Sequence, residues 1–265
     1  MSKSGGLAVR AARAALLTLA LALLPLARAA AGPPYLTDDP EPVPYQHYEF
    51  YALSTGSAIR GDTSGFAPAF EFNYGAVPNG QLHLIAPFAF DGPAGGGAQY
   101  GAGDTELGFK YRFIDEDKAQ PMVGVYPLVE LPTANDRFGL GAGNPRAYFP
   151  LWIQKSFGDW TTYGGGGYWI NHGDDTPNRD YWFFGWLIQR QVTKQLAIGA
   201  EIYHQTGTVV FGPGQSGDAT TGFNIGAVYD LDAHNHLLAS AGTGLQNASS
   251  TNLFSWYLGY QITGP

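Results

Sequence analysis

The chain has 265 residues, with 14 basic and 22 acidic side chains, 37 glycines, 16 tyrosines, 16 phenylalanines, 6 tryptophans and no cysteine. The missing cysteines exclude disulfide stapling, thiolate metal centres and thiol nucleophiles. Scattered Lys and Arg in an acidic chain exclude a nucleic-acid partner, which needs clustered cations to neutralise phosphates. Aromatic richness excludes disorder, and glycine without a three-residue period excludes a collagen-like chain.

At the start of the chain, Lys3, Arg10 and Arg13 precede an apolar run from Ala14 to Leu26, and small residues follow. This is the pattern of an export signal. Residues 1–31 are therefore expected to be a signal peptide removed after Ala29 or Ala31, since Ala27-Arg28-Ala29 and Ala29-Ala30-Ala31 both fit the small-x-small rule. The run falls short of the ~20 apolar residues of a helical span. Without its four basic residues the chain carries 10 basic against 22 acidic groups, a net charge of −12. Residues 32–44 show no alternation and are expected to form a periplasmic N-terminal segment ahead of a barrel spanning 45–265.

From Tyr45 onward the dominant signal is period two, the repeat of a strand whose successive side chains meet opposite faces. Twelve strands are expected in order: 45–53, 66–74, 81–90, 105–113, 120–131, 144–154, 160–170, 181–191, 195–206, 220–230, 236–245 and 252–262. In the fourth, Leu107, Phe109, Tyr111 and Phe113 share one face while Asp104, Glu106, Lys110 and Arg112 share the other. Lengths near ~9–11 residues match tilted membrane-spanning strands better than the ~5–6 of a soluble sheet. Short links at 76–79, 114–119, 155–159, 192–194 and 231–235 alternate with longer ones at 54–64, 91–103, 132–143, 171–180 and 207–219, with 246–251 undersized. That is the asymmetry between periplasmic turns and outer loops.

The expected fold is thus an all-β, antiparallel, up-and-down transmembrane β-barrel of about twelve strands in the outer membrane, with the lipid bilayer as its main partner. Closure follows because an open sheet edge in hydrocarbon leaves backbone groups unpaired at several kcal/mol each. A soluble sandwich would also alternate, but its outer face should be densely charged, and here charged residues share their face with Gly, Ala and Gln. Tyr74, Trp160, Trp169, Tyr181, Trp182, Trp256 and Tyr260 fall near strand ends, where interfacial aromatics belong.

Little in the chain reads as catalysis. Gly101-Ala102-Gly103 and Gly139-Leu140-Gly141-Ala142-Gly143 lack the Lys-Ser/Thr and the following helix of a phosphate loop. The run Gly164–Gly167 lies within a strand, where missing side chains let a neighbouring backbone approach. A lipid-hydrolysing barrel would need a Ser/His pair near its outer rim, and no Gly-x-Ser-x-Gly elbow is present. His234 and His236 sit at an expected turn without a third ligand, and His172 with Asp174 and Asp175 could hold a cation only weakly. No catalytic residue, metal or cofactor is expected.

The alternation places Glu49, Glu71, His83, Asp104, Glu106, Lys110, Arg112, Glu130, Arg146 and Glu201 on the inner face. Basic residues facing lipid would cost up to ~2–4 kcal/mol each at the midplane. These groups either line a water-filled path or pair across the barrel and close it. Glu71 and His83 oppose each other across the turn containing Pro78, so a local pair is expected there.

Tyr35-Leu36-Thr37-Asp38-Asp39-Pro40, followed by Tyr45-Gln46-His47-Tyr48-Glu49, resembles the start of the MetA-pathway phenol-degradation family of outer-membrane transporters. Gly103-Asp104-Thr105-Glu106-Leu107-Gly108-Phe109-Lys110-Tyr111-Arg112-Phe113 is similar to that family's most recognisable strand, and the likeness continues through Pro127–Pro132 and Asn144-Pro145. The resemblance implies an outer-membrane barrel associated by family name with uptake of aromatic or other hydrophobic compounds. Such barrels commonly end in an aromatic residue read by the barrel-assembly machinery, whereas here Tyr260 and Ile262 are followed by Thr263-Gly264-Pro265. The expected function is passage of small solutes; the alternative is a closed structural or adhesive barrel whose outer loops bind a partner.

Overall fold

The computed structural model describes residues 33–135, 138–171, 180–207 and 217–265. The expected signal peptide lies outside them, as do His172, Asp174, Asp175 and most of the expected loop 207–219. In chain order the strands are β1 (Tyr48–Ile59), β2 (Asp62–Val77), β3 (Gly80–Asp91), β4 (Gln99–Ala102), β5 (Thr105–Ile114), β6 (Met122–Val125) and β7 (Leu128–Leu131). They continue as β8 (Arg146–Phe157), β9 (Trp160–Asn171), β10 (Tyr181–Gln191), β11 (Leu196–Gln205), β12 (Thr220–Asp230), β13 (Asn235–Gln246) and β14 (Phe254–Gly264).

Among the described residues these strands form one antiparallel sheet that closes on itself, β1 pairing with β14 from Tyr48↔Gly264 to Ala58↔Phe254. Both β4 and β5 pair with β3, and both β6 and β7 lie between β5 and β8, so the strands make twelve staves. Pro127 breaks the β6–β7 stave because it has no N–H to give to the ladder. Its carbonyl still accepts from Phe109 N at 3.0 Å.

The two faces of the wall meet different solvents. Along β5, Leu107, Phe109, Tyr111 and Phe113 are 45%, 37%, 40% and 50% exposed on the outside, while Lys110 between them is 5% exposed inside. Trp182, Phe184, Trp186 and Ile188 of β10 and Phe149, Leu151 and Ile153 of β8 repeat the pattern. In water so continuous an apolar exterior would drive aggregation; against acyl chains it is the expected outer surface of a barrel. The chain is therefore an outer-membrane barrel.

Two loop expectations are corrected. Residues 54–64 do not form a long outer loop, because β1 and β2 run on as a ladder to Ile59↔Asp62 and turn at Arg60-Gly61, where Gly61 takes φ 89°. Ser, Thr and Gly on both faces of that stretch hide the alternation without preventing strand pairing. The 91–103 connection is likewise shorter, since Gln99–Ala102 pairs back onto Phe88–Asp91. Long links still gather at one end, opposite the end holding Tyr48 and Gly264, so both termini of the barrel wall belong to the periplasmic side.

Candidate functional site in the barrel interior

Residues 32–44 were set apart from the barrel by sequence, but residues 34–43 run inside it. Thr37 and Asp39 are fully buried and Val43 nearly so. The segment contributes no strand of its own, so its backbone polar groups need partners from the wall. Glu201 supplies two: Leu36 N donates to Glu201 Oε1 at 2.9 Å and Thr37 N to Glu201 Oε2 at 2.7 Å. Asn224 Nδ2 fills the same carboxylate from the neighbouring strand at 2.6 Å. Val43 N donates to Gln81 Oε1 at 2.8 Å, and Ser240 Oγ donates to Pro34 O at 2.5 Å.

The charged latch of this segment is Lys110. Its Nζ lies 2.8 Å from Asp38 Oδ1 and 3.7 Å from Asp39 Oδ1, and 5.0 Å from the centre of the Tyr126 ring. An ammonium so buried needs opposite charge beside it, and the segment delivers two carboxylates. The wall makes room with missing side chains, most closely at Gly185 and Gly199. A Cβ at Gly185 would stand 2.1 Å from Thr37 Oγ1, and one at Gly199 would stand 2.7 Å from the Tyr35 hydroxyl.

The other expected inner-face residues form separate groups. The expected Glu71–His83 neighbours come within 3.6 Å, joined by Asn73, whose Nδ2 donates to Glu71 Oε1 at 2.8 Å and whose Oδ1 is 2.7 Å from His83 Nδ1. His83 Nε2 reaches Glu106 Oε1 at 3.0 Å, so both ring nitrogens face acceptors. Glu49 accepts from the Tyr51 hydroxyl at 2.8 Å, which in turn accepts from Gln261 Nε2 at 2.7 Å. Arg146 is paired with Glu130 and lies 4.9 Å from the centre of the Trp169 ring. Asp104 accepts from Ala134 N at 3.0 Å and Ala142 N at 2.6 Å, so it tethers the 132–143 loop. Arg112 stands apart at the short-turn end, donating to Asn79 Oδ1 at 2.7 Å and ion-paired with Asp115 Oδ1 at 2.7 Å.

Further out, the interior opens into a cavity of about 540 Å³. Its floor is Pro34, Tyr35 and Leu36, and its rim includes Leu140 and Ala142 of the 132–143 loop. At its edge stands Asp91, the last residue of β3, itself buried. Sequence reasoning missed Asp38, Asp39 and Tyr126 as interior residues. The available signal was complementarity: a lone inner-face lysine and a pair of adjacent aspartates ahead of the first strand.

A family model described as "Putative MetA-pathway of phenol degradation" matches residues 50–262. The crystal structure of the COG4313 outer membrane channel from Pseudomonas putida F1 is similar, with TM-score 0.69 and 18% identity, over 85% of this chain and 98% of that one. The KdgM porin has TM-score 0.54 and 12% identity, over 80% and 98% of the two chains. The NanC porin has TM-score 0.54 and 6% identity, over 82% and 99%. No curated protein matches the chain.

Proposed function

The chain belongs to the family described as the MetA-pathway of phenol degradation, and we propose that it is a non-enzymatic outer-membrane channel through which small solutes pass by way of the barrel interior. The observation carrying this reading is the outer cavity of about 540 Å³, which ends on the N-terminal segment rather than on the barrel wall. A wall cannot move without breaking ladder bonds, whereas the segment is held by side chains: Glu201, Gln81, Ser240 and Lys110. Glu49, Glu71, His83, Asp104, Glu106, Lys110, Glu130, Arg146 and Glu201 are then the lining that a passing solute meets, with Arg112 near the periplasmic exit. The family name points to aromatic compounds as cargo. Liposome swelling with phenols and sugars, and planar-bilayer conductance, test the reading; permeation no greater than in protein-free liposomes rejects it.

A second reading, a closed structural or adhesive barrel, has one observation in its favour: the segment fills the inner half of the bore with buried, bonded residues. Bilayer recording of the wild-type barrel separates the two readings, because a closed barrel stays silent while the segment keeps its seat.

A further inference from the structure

The outer cavity carries chemistry that the family name does not suggest. Hydroxyl and amide side chains form one continuous arc of its wall. Ser57 of β1 is in register with both Ser64 of β2 and Ser255 of β14, and Asn224, Asn252 and Gln205 carry the arc on toward β11. Asn224, Asn252 and Ser255 already bond to one another and to Glu201 and Tyr203, so Ser57, Ser64 and Gln205 are the donors and acceptors presented to a solute. Phenolic rings border the same space: Tyr203 accepts from Asn252 Nδ2 at 2.7 Å, and Tyr35 lies at the floor with its hydroxyl packed against Gly199.

Charge completes the selection. Among the described lining residues the carboxylates are Asp91, Asp104, Glu130 and Asp218, and the cation is Arg146. Arg146 is already engaged by Glu130 and by the Trp169 ring, so its charge does not greet an incoming anion. An apolar solute finds apolar surface over only about half of the lining, at residues such as Leu36, Phe66, Phe90 and Leu140, and must displace water from the polar half with nothing to replace its hydrogen bonds. An anionic solute meets a field of its own sign. A neutral molecule with many hydroxyls matches both conditions, since carboxylates, amides and serines accept from or donate to its hydroxyls and tyrosine faces cover its C–H surfaces.

We infer that the outer cavity is a binding site for an uncharged, polyhydroxylated compound of sugar size. Its volume falls within the range of about 300–1,000 Å³ usual for small-molecule sites. The KdgM porin has also been solved in complex with oligogalacturonate, a polyanion; the charge of this cavity argues against a ligand of that kind here. The inference deepens the channel reading by naming a solute class, but binding itself does not depend on passage.

The test is titration calorimetry of the purified barrel in detergent with glucose, maltose, galacturonate and phenol, beside liposome swelling with the same four. Glucose or maltose is expected to bind, with galacturonate at least about tenfold weaker and phenol weaker than either sugar. A Ser57→Leu, Gln205→Leu double variant is expected to lose sugar binding while keeping the heat-shifted mobility of a folded barrel. Should that variant fail to fold, the order of affinities in the wild type still decides the matter. Equal binding of glucose and galacturonate, tighter binding of phenol, or no sugar binding overturns the inference. Sugar binding without swelling would leave the site standing and reject the channel; swelling without sugar preference would do the reverse.

Discussion

The two halves of the barrel interior are built from the same strands under the same alternation, yet one is full and the other open. Toward the short turns the N-terminal segment occupies the space, with Thr37 and Asp39 fully buried and Lys110 gripping Asp38. Toward the long loops Pro34, Tyr35 and Leu36 border a cavity of about 540 Å³ with mixed polar and apolar walls. Alternation therefore decides what faces inward, and a stretch of chain outside the alternation decides where the bore is occupied.

Changes that erase this difference should have the largest effects. Lys110→Met leaves Asp38 and Asp39 buried without their cation, and breaking a buried pair from one side costs about 3–5 kcal/mol. The segment should leave its seat, and limited proteolysis should then cut within residues 33–44. Glu201→Ala comes next. It strips acceptors from Leu36 N, Thr37 N and Asn224, at about 1–3 kcal/mol for each group left unpaired, less where water enters. Hydrogen exchange at the Leu36 and Thr37 amides should quicken while the β10–β11 amides stay protected.

Gly185→Val attacks the fit without touching charge. A Cβ there would meet Thr37 Oγ1 at 2.1 Å, and overpacking of this sort costs about 1–3 kcal/mol. Conductance should rise modestly, with the barrel's thermal midpoint little changed.

The sequence makes the wall legible where the two solvents differ most. On β5 the contrast between Leu107, Phe109, Tyr111, Phe113 and Glu106, Lys110 is visible in the residues alone, and burial divides them the same way. Toward the outer ends of β1 and β2 the contrast fades, because Ser, Thr and Gly there suit either face, and the ladder beyond Leu53 escaped detection. The occupied half was illegible for a different reason. Residues 34–43 have no period, and their place depends on partners such as Glu201 and Gln81 far along the chain. Asp104 was legible as inward but not as a loop tether, since its partners are the backbone amides of Ala134 and Ala142.

With no native cysteine in the chain, one engineered pair can test whether the segment bars the bore. A Cβ at position 185 lies 3.0 Å from Thr37 Cβ, so a small outward shift of the segment brings the pair to the ~3.5–4.5 Å of a disulfide. Planar-bilayer conductance of a Thr37→Cys, Gly185→Cys barrel should be low when oxidised and climb on reduction in the same membrane. Identical conductance in both states would contradict the account, because the segment would then have no part in closing the path.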